Sequence, residues 1–149
     1  MEYTKRRNLN RGYMKLDAWQ KGMDLFVMAF RLAARVSDFK LQSQFRDAVQ
    51  SVSSNIGEGY GRRSLPEYIQ FLYIAKGSLA EGLTRAIGFR TVEAISAVEF
   101  ENFDKLHYEV ENKLLELIES LEAKRGANDW RDALPSKNPV IQKSIHPSP

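Results

Sequence analysis

Residues 96–121 read SAVEFENFDKLHYEVENKLLELIESL. Within this stretch Phe100, Phe103, His107, Val110, Leu114, Leu117 and Leu121 recur at alternating steps of three and four. A strand turns successive side chains to opposite faces, whereas steps of three and four hold one face of a helix. The spacing therefore predicts a long helix with a heptad seam, broken once by His107. Ser96 and Glu99 supply an S-x-x-E capping box at its start, and Gly126 marks its end.

The same period extends backwards through the chain. Ser64-Leu65-Pro66-Glu67 is a second capping box, with Pro where the first helical N–H groups have no partner. Leu65, Tyr68, Leu72, Ala75, Leu79, Leu83 and Ala86 continue its apolar stripe, interrupted by the small residues Gly77, Ser78, Ala80 and Gly82. Gly inside a helix costs about 1 kcal/mol against Ala. Close approach by a neighbouring helix, or by another chain, would compensate. Upstream, Leu41, Phe45, Ala48, Val52 and Ile56 share one face of a helix over about 41–56 or a turn beyond, opposite Gln44, Asp47, Ser51, Asn55 and Glu58. Gly57, Gly59 and Gly61 are expected to weaken its end and permit a tight reversal. The first helix is expected to start at Asp17 as N-cap, with Gln20 as a partial capping box. It carries two apolar stripes: Trp19, Met23, Phe26, Phe30 and Ala33, and Leu25, Ala29, Leu32 and Val36.

No stretch alternates as a strand would. Four amphipathic helices with short links predict an all-α fold, an antiparallel up-down-up-down four-helix bundle over 16–125. A basic flexible arm over 1–15 precedes it. A flexible tail over 126–149, rich in Pro, Ser, Asn and Lys, follows. The stripes on the first and third helices are wider than one bundle seam needs. They fit either ordinary core packing or a further chain.

The 149 residues are 43% hydrophobic and 28% charged, with no Cys. Disulfides, thiolate nucleophiles and Cys-based metal sites are thereby excluded. The lack of Cys fits a cytoplasmic protein. No apolar run approaches the roughly 20 residues of a membrane span, and the polar N-terminus does not read as a secretory signal. The two histidines, His107 and His146, are too few for a histidine metal site, and no metal or other cofactor is expected. The formal charge of +3 is unevenly spread: +4 over 1–15, −2 over 16–125 and +1 over 126–149. Residues 97–123 alone hold −6. A polyanion should therefore avoid the fourth helix and meet Lys5, Arg6, Arg7 and Arg11 of the arm, the Arg62-Arg63 turn, or Lys76, Arg85 and Arg90. The arm also reads as a solvated leader. Arg62 and Arg63, beside a helix N-terminus, read either as an anion site or as partners of Glu58 and Glu67.

Enzymatic readings find little support. Gly57-x-Gly59-x-Gly61 follows a helix rather than a strand and lacks the Gly-Lys-Ser/Thr of a phosphate loop. Helical-bundle ribonucleases of the HEPN type place an Arg four to six residues before a His, and the residues four to six before His107 are Glu101, Asn102 and Phe103. Glu58 and Glu81 are the acids expected to face inward. They read as members of a hydrogen-bonded network with Arg46 or Arg62 more readily than as general acid–base groups.

Three segments carry a family resemblance: Gln44-Phe45-Arg46-Asp47-Ala48, then Ser51 through Arg62 (SVSSNIGEGYGR), then Ile74 through Glu81 (IAKGSLAE). They resemble the four-helix-bundle family encoded in intervening sequences of bacterial 23S ribosomal RNA genes, also called S23 ribosomal protein. More distantly they resemble the accessory Avd proteins of diversity-generating retroelements. The opening Leu16-Asp17-Ala18-Trp19-Gln20-Lys21 also fits, whereas Ser53 and Gly57 stand where the family often has Pro and Ala. The resemblance covers about residues 16–123. It implies a homopentameric ring without enzyme activity, nucleic-acid binding by analogy with Avd, and a reverse transcriptase or ribosomal component as partner. The matched positions are Gln44, Arg46, Ser51, Asn55, Glu58, Gly59, Gly61, Arg62, Gly77, Ser78 and Glu81, and most read as holding the second helix to the third. The expected function is weak, non-sequence-specific RNA or DNA binding by an oligomer. The alternative is a protein-interaction scaffold that touches no nucleic acid.

Overall fold

The computed structural model describes residues 11–126. A 3-10 turn, Gly12–Lys15, leads into four α-helices: α1 (Asp17–Ala33), α2 (Phe39–Tyr60), α3 (Leu65–Thr91) and α4 (Ala97–Gly126). No strand occurs among the described residues. The rest of the expected arm, including Lys5, Arg6 and Arg7, and the expected tail after Gly126 lie outside them. Both α1 and α3 pack against α2 and α4, so α1 and α3 sit across a shared core from each other.

The four helix starts differ in their chemistry. Asp17 does not cap α1: Leu16 occupies the cap position without a side-chain bond. Gln20 instead donates from Nε2 to the Met14 carbonyl at 2.9 Å, tying the 3-10 turn to the helix. Asp38 caps α2 by accepting from Leu41 N at 2.9 Å, so the helix starts two residues before Leu41. Ser64 accepts from Glu67 N at 3.3 Å. The Ser96 box is reciprocal: Glu99 N donates to Ser96 Oγ at 3.1 Å and Ser96 N donates to Glu99 Oε1 at 2.9 Å. That backbone bond is the main reason the Glu99 carboxyl is held below its ordinary range.

Of the two stripes on α1, the second is the core: Leu25, Ala29, Leu32 and Val36 are buried. From the first stripe only Ala33 is buried, and Met23 and Phe30 are exposed. The α4 seam drifts. Phe103, His107, Val110, Leu114 and Leu121 are buried, but Ile118 takes the place expected of Leu117, which is half-buried together with Phe100. A strict seven-residue repeat slips around a straight helix of 3.6 residues per turn, so the step after Leu114 lengthens from three to four and the last shortens from four to three. Leu41, expected on the buried face of α2, is exposed. At the centre Phe45 meets Phe89 and Phe103, with ring centroids 5.2 and 5.4 Å apart. Buried His107 donates from Nε2 to the Leu79 carbonyl at 2.7 Å, which satisfies the one polar group in the seam.

The glycines after Ile56 do not break α2, which runs through Gly57 and Gly59 to Tyr60. Gly61 has an ordinary φ of −82°. Gly59 serves packing: a Cβ there would lie 2.7 Å from Phe71 Cβ and 3.2 Å from the Tyr68 carbonyl oxygen. Gly82 likewise faces Val49 at 3.1 Å, but nothing approaches Gly77 within 4 Å.

Gly59→Ala is expected to cost about 1–3 kcal/mol through overpacking. Gly61→Ala, whose Cβ would meet nothing nearer than 3.6 Å, should be neutral or stabilise by up to about 1 kcal/mol. Urea unfolding of the two variants checks the contrast. Because the folded pKa of Glu99 is depressed, its contribution is complete above the unfolded carboxylate pKa and is lost as pH falls through the lower folded value. The stability difference between the native chain and Glu99→Gln should therefore shrink between about pH 5 and pH 3.

Candidate functional site

The motif residues gather on the facing sides of α2 and α3. Ser51 Oγ and Ser78 Oγ lie 2.8 Å apart, one turn from Asn55, whose Nδ2 donates to both the carbonyl and Oγ of Ser51 at 2.8 Å. Small side chains at 51 and 78 let the hydroxyls meet directly. Further along, Gln44 Oε1 accepts from Arg85 at 3.0 Å, and Arg85 also pairs with Glu81 at 3.3 Å. At the other end Glu58 pairs with Arg62 at 2.7 Å. The Arg62 guanidinium then lies 4.4 Å from the centre of the Phe71 ring. Together these contacts form a polar seam along the α2–α3 junction.

The carboxylates do not point inward as expected. Glu58 and Glu81 are both on the surface, each in an i,i+4 ion pair. A carboxylate in that setting is solvated and paired with its neighbour. Arg46 has neither glutamate as partner. It donates to the Phe30 carbonyl at 2.8 Å and stacks 3.9 Å above the Phe30 ring, bridging α2 to α1. Among the described residues no group of three or more His, Asp or Glu could hold a metal ion.

The nominated cations divide into two groups. Arg62 and Arg85 are committed to the seam, and Arg90 donates to the Ile95 carbonyl at 3.4 Å. Nε of Arg62 and of Arg85 is buried without a hydrogen-bond partner among the described residues. Arg63 and Lys76 are exposed, and Arg11 is half-buried. Lys5, Arg6 and Arg7 lie outside the described residues. From Leu65 to Arg90 the helix rises roughly 37 Å, so Arg62-Arg63 and Arg85-Arg90 belong to opposite ends and form no single patch.

Two further surface features bear on binding. One is a set of exposed apolar side chains on α1 and α3, from Val27 at 44% exposed to Phe30 at 50%, with Tyr73, Ile74 and Ile87 between. Periodicity alone could not separate these from core positions. The other is a groove between α1 and α2 lined by Tyr13, Trp19 and polar side chains. Its signal was Tyr13, an aromatic in a basic stretch.

Four helices around one core, joined by a hydrogen-bonded α2–α3 seam, define a helical-bundle protein. The family model for the 23S rRNA-intervening sequence protein matches residues 14–116, most of the chain and all of the seam. The chain belongs to that family. No curated protein matches it. No helix among the described residues is long and apolar enough to cross a membrane.

Ser78→Ala removes one hydroxyl of the Ser51–Ser78 pair and leaves its partner half-satisfied. It is expected to cost about 1–2 kcal/mol. A double-mutant cycle with Ser51→Ala, read by urea unfolding, should show the two losses to be non-additive.

Proposed function

We propose that this is a non-enzymatic, up-down-up-down four-helix bundle that assembles with copies of itself and binds RNA or DNA weakly through backbone phosphates. The observation that carries the reading is the pair of exposed apolar faces. On α1, Val27 and Phe30 face outward. On α3, Tyr73, Ile74 and Ile87 flank the small residues Gly77, Ala80 and Gly88. Bulky side chains on one face and gaps on the other suit each other. Because α1 and α3 lie across the core, the two faces look in different directions. A contact of one copy's α1 with the next copy's α3 is therefore heterologous, and such contacts close into a ring when the rotations sum to a full turn. The family resemblance makes a pentamer the expected closure.

Each copy of a ring repeats its cations, so weak phosphate contacts add by multivalency. Arg63 and Lys76, together with Lys5, Arg6, Arg7 and Arg11, are the cations proposed to meet phosphate. Arg62, Arg85 and Arg90 are assigned chiefly to holding the helices. The internal engagement of those three arginines favours a second reading, a scaffold that docks a reverse transcriptase or ribosomal component without touching nucleic acid.

Light scattering on the full chain is expected to give a multiple of the 17.1 kDa chain mass, and Ile87→Glu to shift it to the monomer with helicity retained. A monomeric native chain would remove the assembly reading. Retention on structured RNA should fall steeply with salt. No retention at low salt would end the nucleic-acid reading and leave the scaffold.

A further inference from the structure

We propose that the groove between the first half of α1 and the last half of α2 receives one unstacked base of a single-stranded nucleic acid. This rests on the nucleic-acid reading above and adds to it a preference for single strands. The groove encloses about 300 Å³ and is lined by Tyr13, Trp19, Met23, Gln50, Ser54 and Glu58. Its aromatic wall is preset. Tyr13 and Trp19 have ring centroids 5.7 Å apart at 63°, and Tyr13 meets Tyr60 edge-on at 6.1 Å. The Tyr13 ring lies against Gly57, where an added Cβ would already be in contact at 3.4 Å. Ser53 Oγ is spent on the Trp19 carbonyl at 3.0 Å, which fixes the α1 backbone beneath the indole.

The opposite side is polar. Gln50 is exposed and offers both an amide donor and a carbonyl acceptor. Glu58 can accept from an exocyclic amine, and its charge is already balanced by Arg62 at 2.7 Å, so it does not repel a neighbouring phosphate. In the sequence Arg11 and Lys15 flank Tyr13, and Arg63 lies five residues after Glu58. An aromatic platform is the chemistry that holds single strands, because every base has a stacking face. A base inside a duplex would first have to leave its stack.

The test uses the full chain carrying Trp130→Phe, which leaves Trp19 as the only indole. Twelve-nucleotide single strands of RNA and of DNA, and a duplex of the same length, are titrated at low salt. Single strands are expected to quench Trp19 fluorescence and the duplex to leave it unchanged; the RNA and DNA arms show which sugar is preferred. Tyr13→Ala should weaken single-strand binding roughly tenfold with duplex binding unaltered. Gln50→Ala, at an exposed position, should act in the same direction without disturbing the fold. Equal binding of single strand and duplex with no quenching overturns the slot while the phosphate reading stands. Quenching that neither substitution reduces also overturns it. Failure of every nucleic acid to bind overturns both.

Discussion

The architecture depends on how closely α2 can approach its neighbours. A Cβ on Gly22 would collide with Ser53 Oγ, one on Gly59 would lie 2.7 Å from Phe71 Cβ, and one on Gly82 3.1 Å from Val49. These missing side chains bring backbones near enough for short polar side chains to bond across the junctions. Ser53 reaches the Trp19 carbonyl and Ser51 reaches Ser78. Longer side chains at the same positions would hold the helices apart and leave buried hydroxyls without partners, which costs more than the bonds themselves contribute. The close junctions also set where Phe45 stands, and hence the aromatic centre it forms with Phe89 and Phe103.

That arrangement decides what the surface has to offer. Arginines that charge counting alone would give to a polyanion are drawn into the fold: Arg62 onto Glu58 and Phe71, Arg85 onto Gln44 and Glu81, Arg90 onto the Ile95 carbonyl. What stays outward is apolar on α1 and α3 and aromatic at the α1–α2 groove. The match to the 23S rRNA-intervening sequence protein family spans α1, α2, α3 and most of α4.

Much of this was legible in the sequence. The three-and-four spacing of α4, the capping residues Ser64 and Ser96, and the α3 stripe each follow from local rules, and the structure keeps them, the α4 spacing from Phe103 as far as Leu114. The resemblance of residues 44–81 marked the α2–α3 junction before its hydrogen bonds were seen. Other features depend on neighbours that no local rule supplies. Two stripes on α1 are equivalent by period, and only contact with α2 and α4 selects the one through Leu25. Gly57 and Gly59 look like helix breakers until the Tyr13 ring and the Phe71 Cβ are set beside them. Glu58 and Glu81 were expected inside because they sit one turn from Asn55 and Ser78, but the long side chains reach solvent and pair with Arg62 and Arg85. The groove at Trp19 is assembled from α1, α2 and the 3-10 turn, so no single segment announces it.

Native-state hydrogen exchange, resolved by residue, tests the primacy of the α2–α3 junction most directly. Amides at 51–56 and 75–82 should exchange only through global unfolding, with the slowest rates in the chain, while the two ends of α4 open earlier. Exchange at 51–56 and 75–82 that is faster than at 103–114 would contradict the account. It would mean that the bundle is held from α4 and that the small residues of α2 and α3 are incidental.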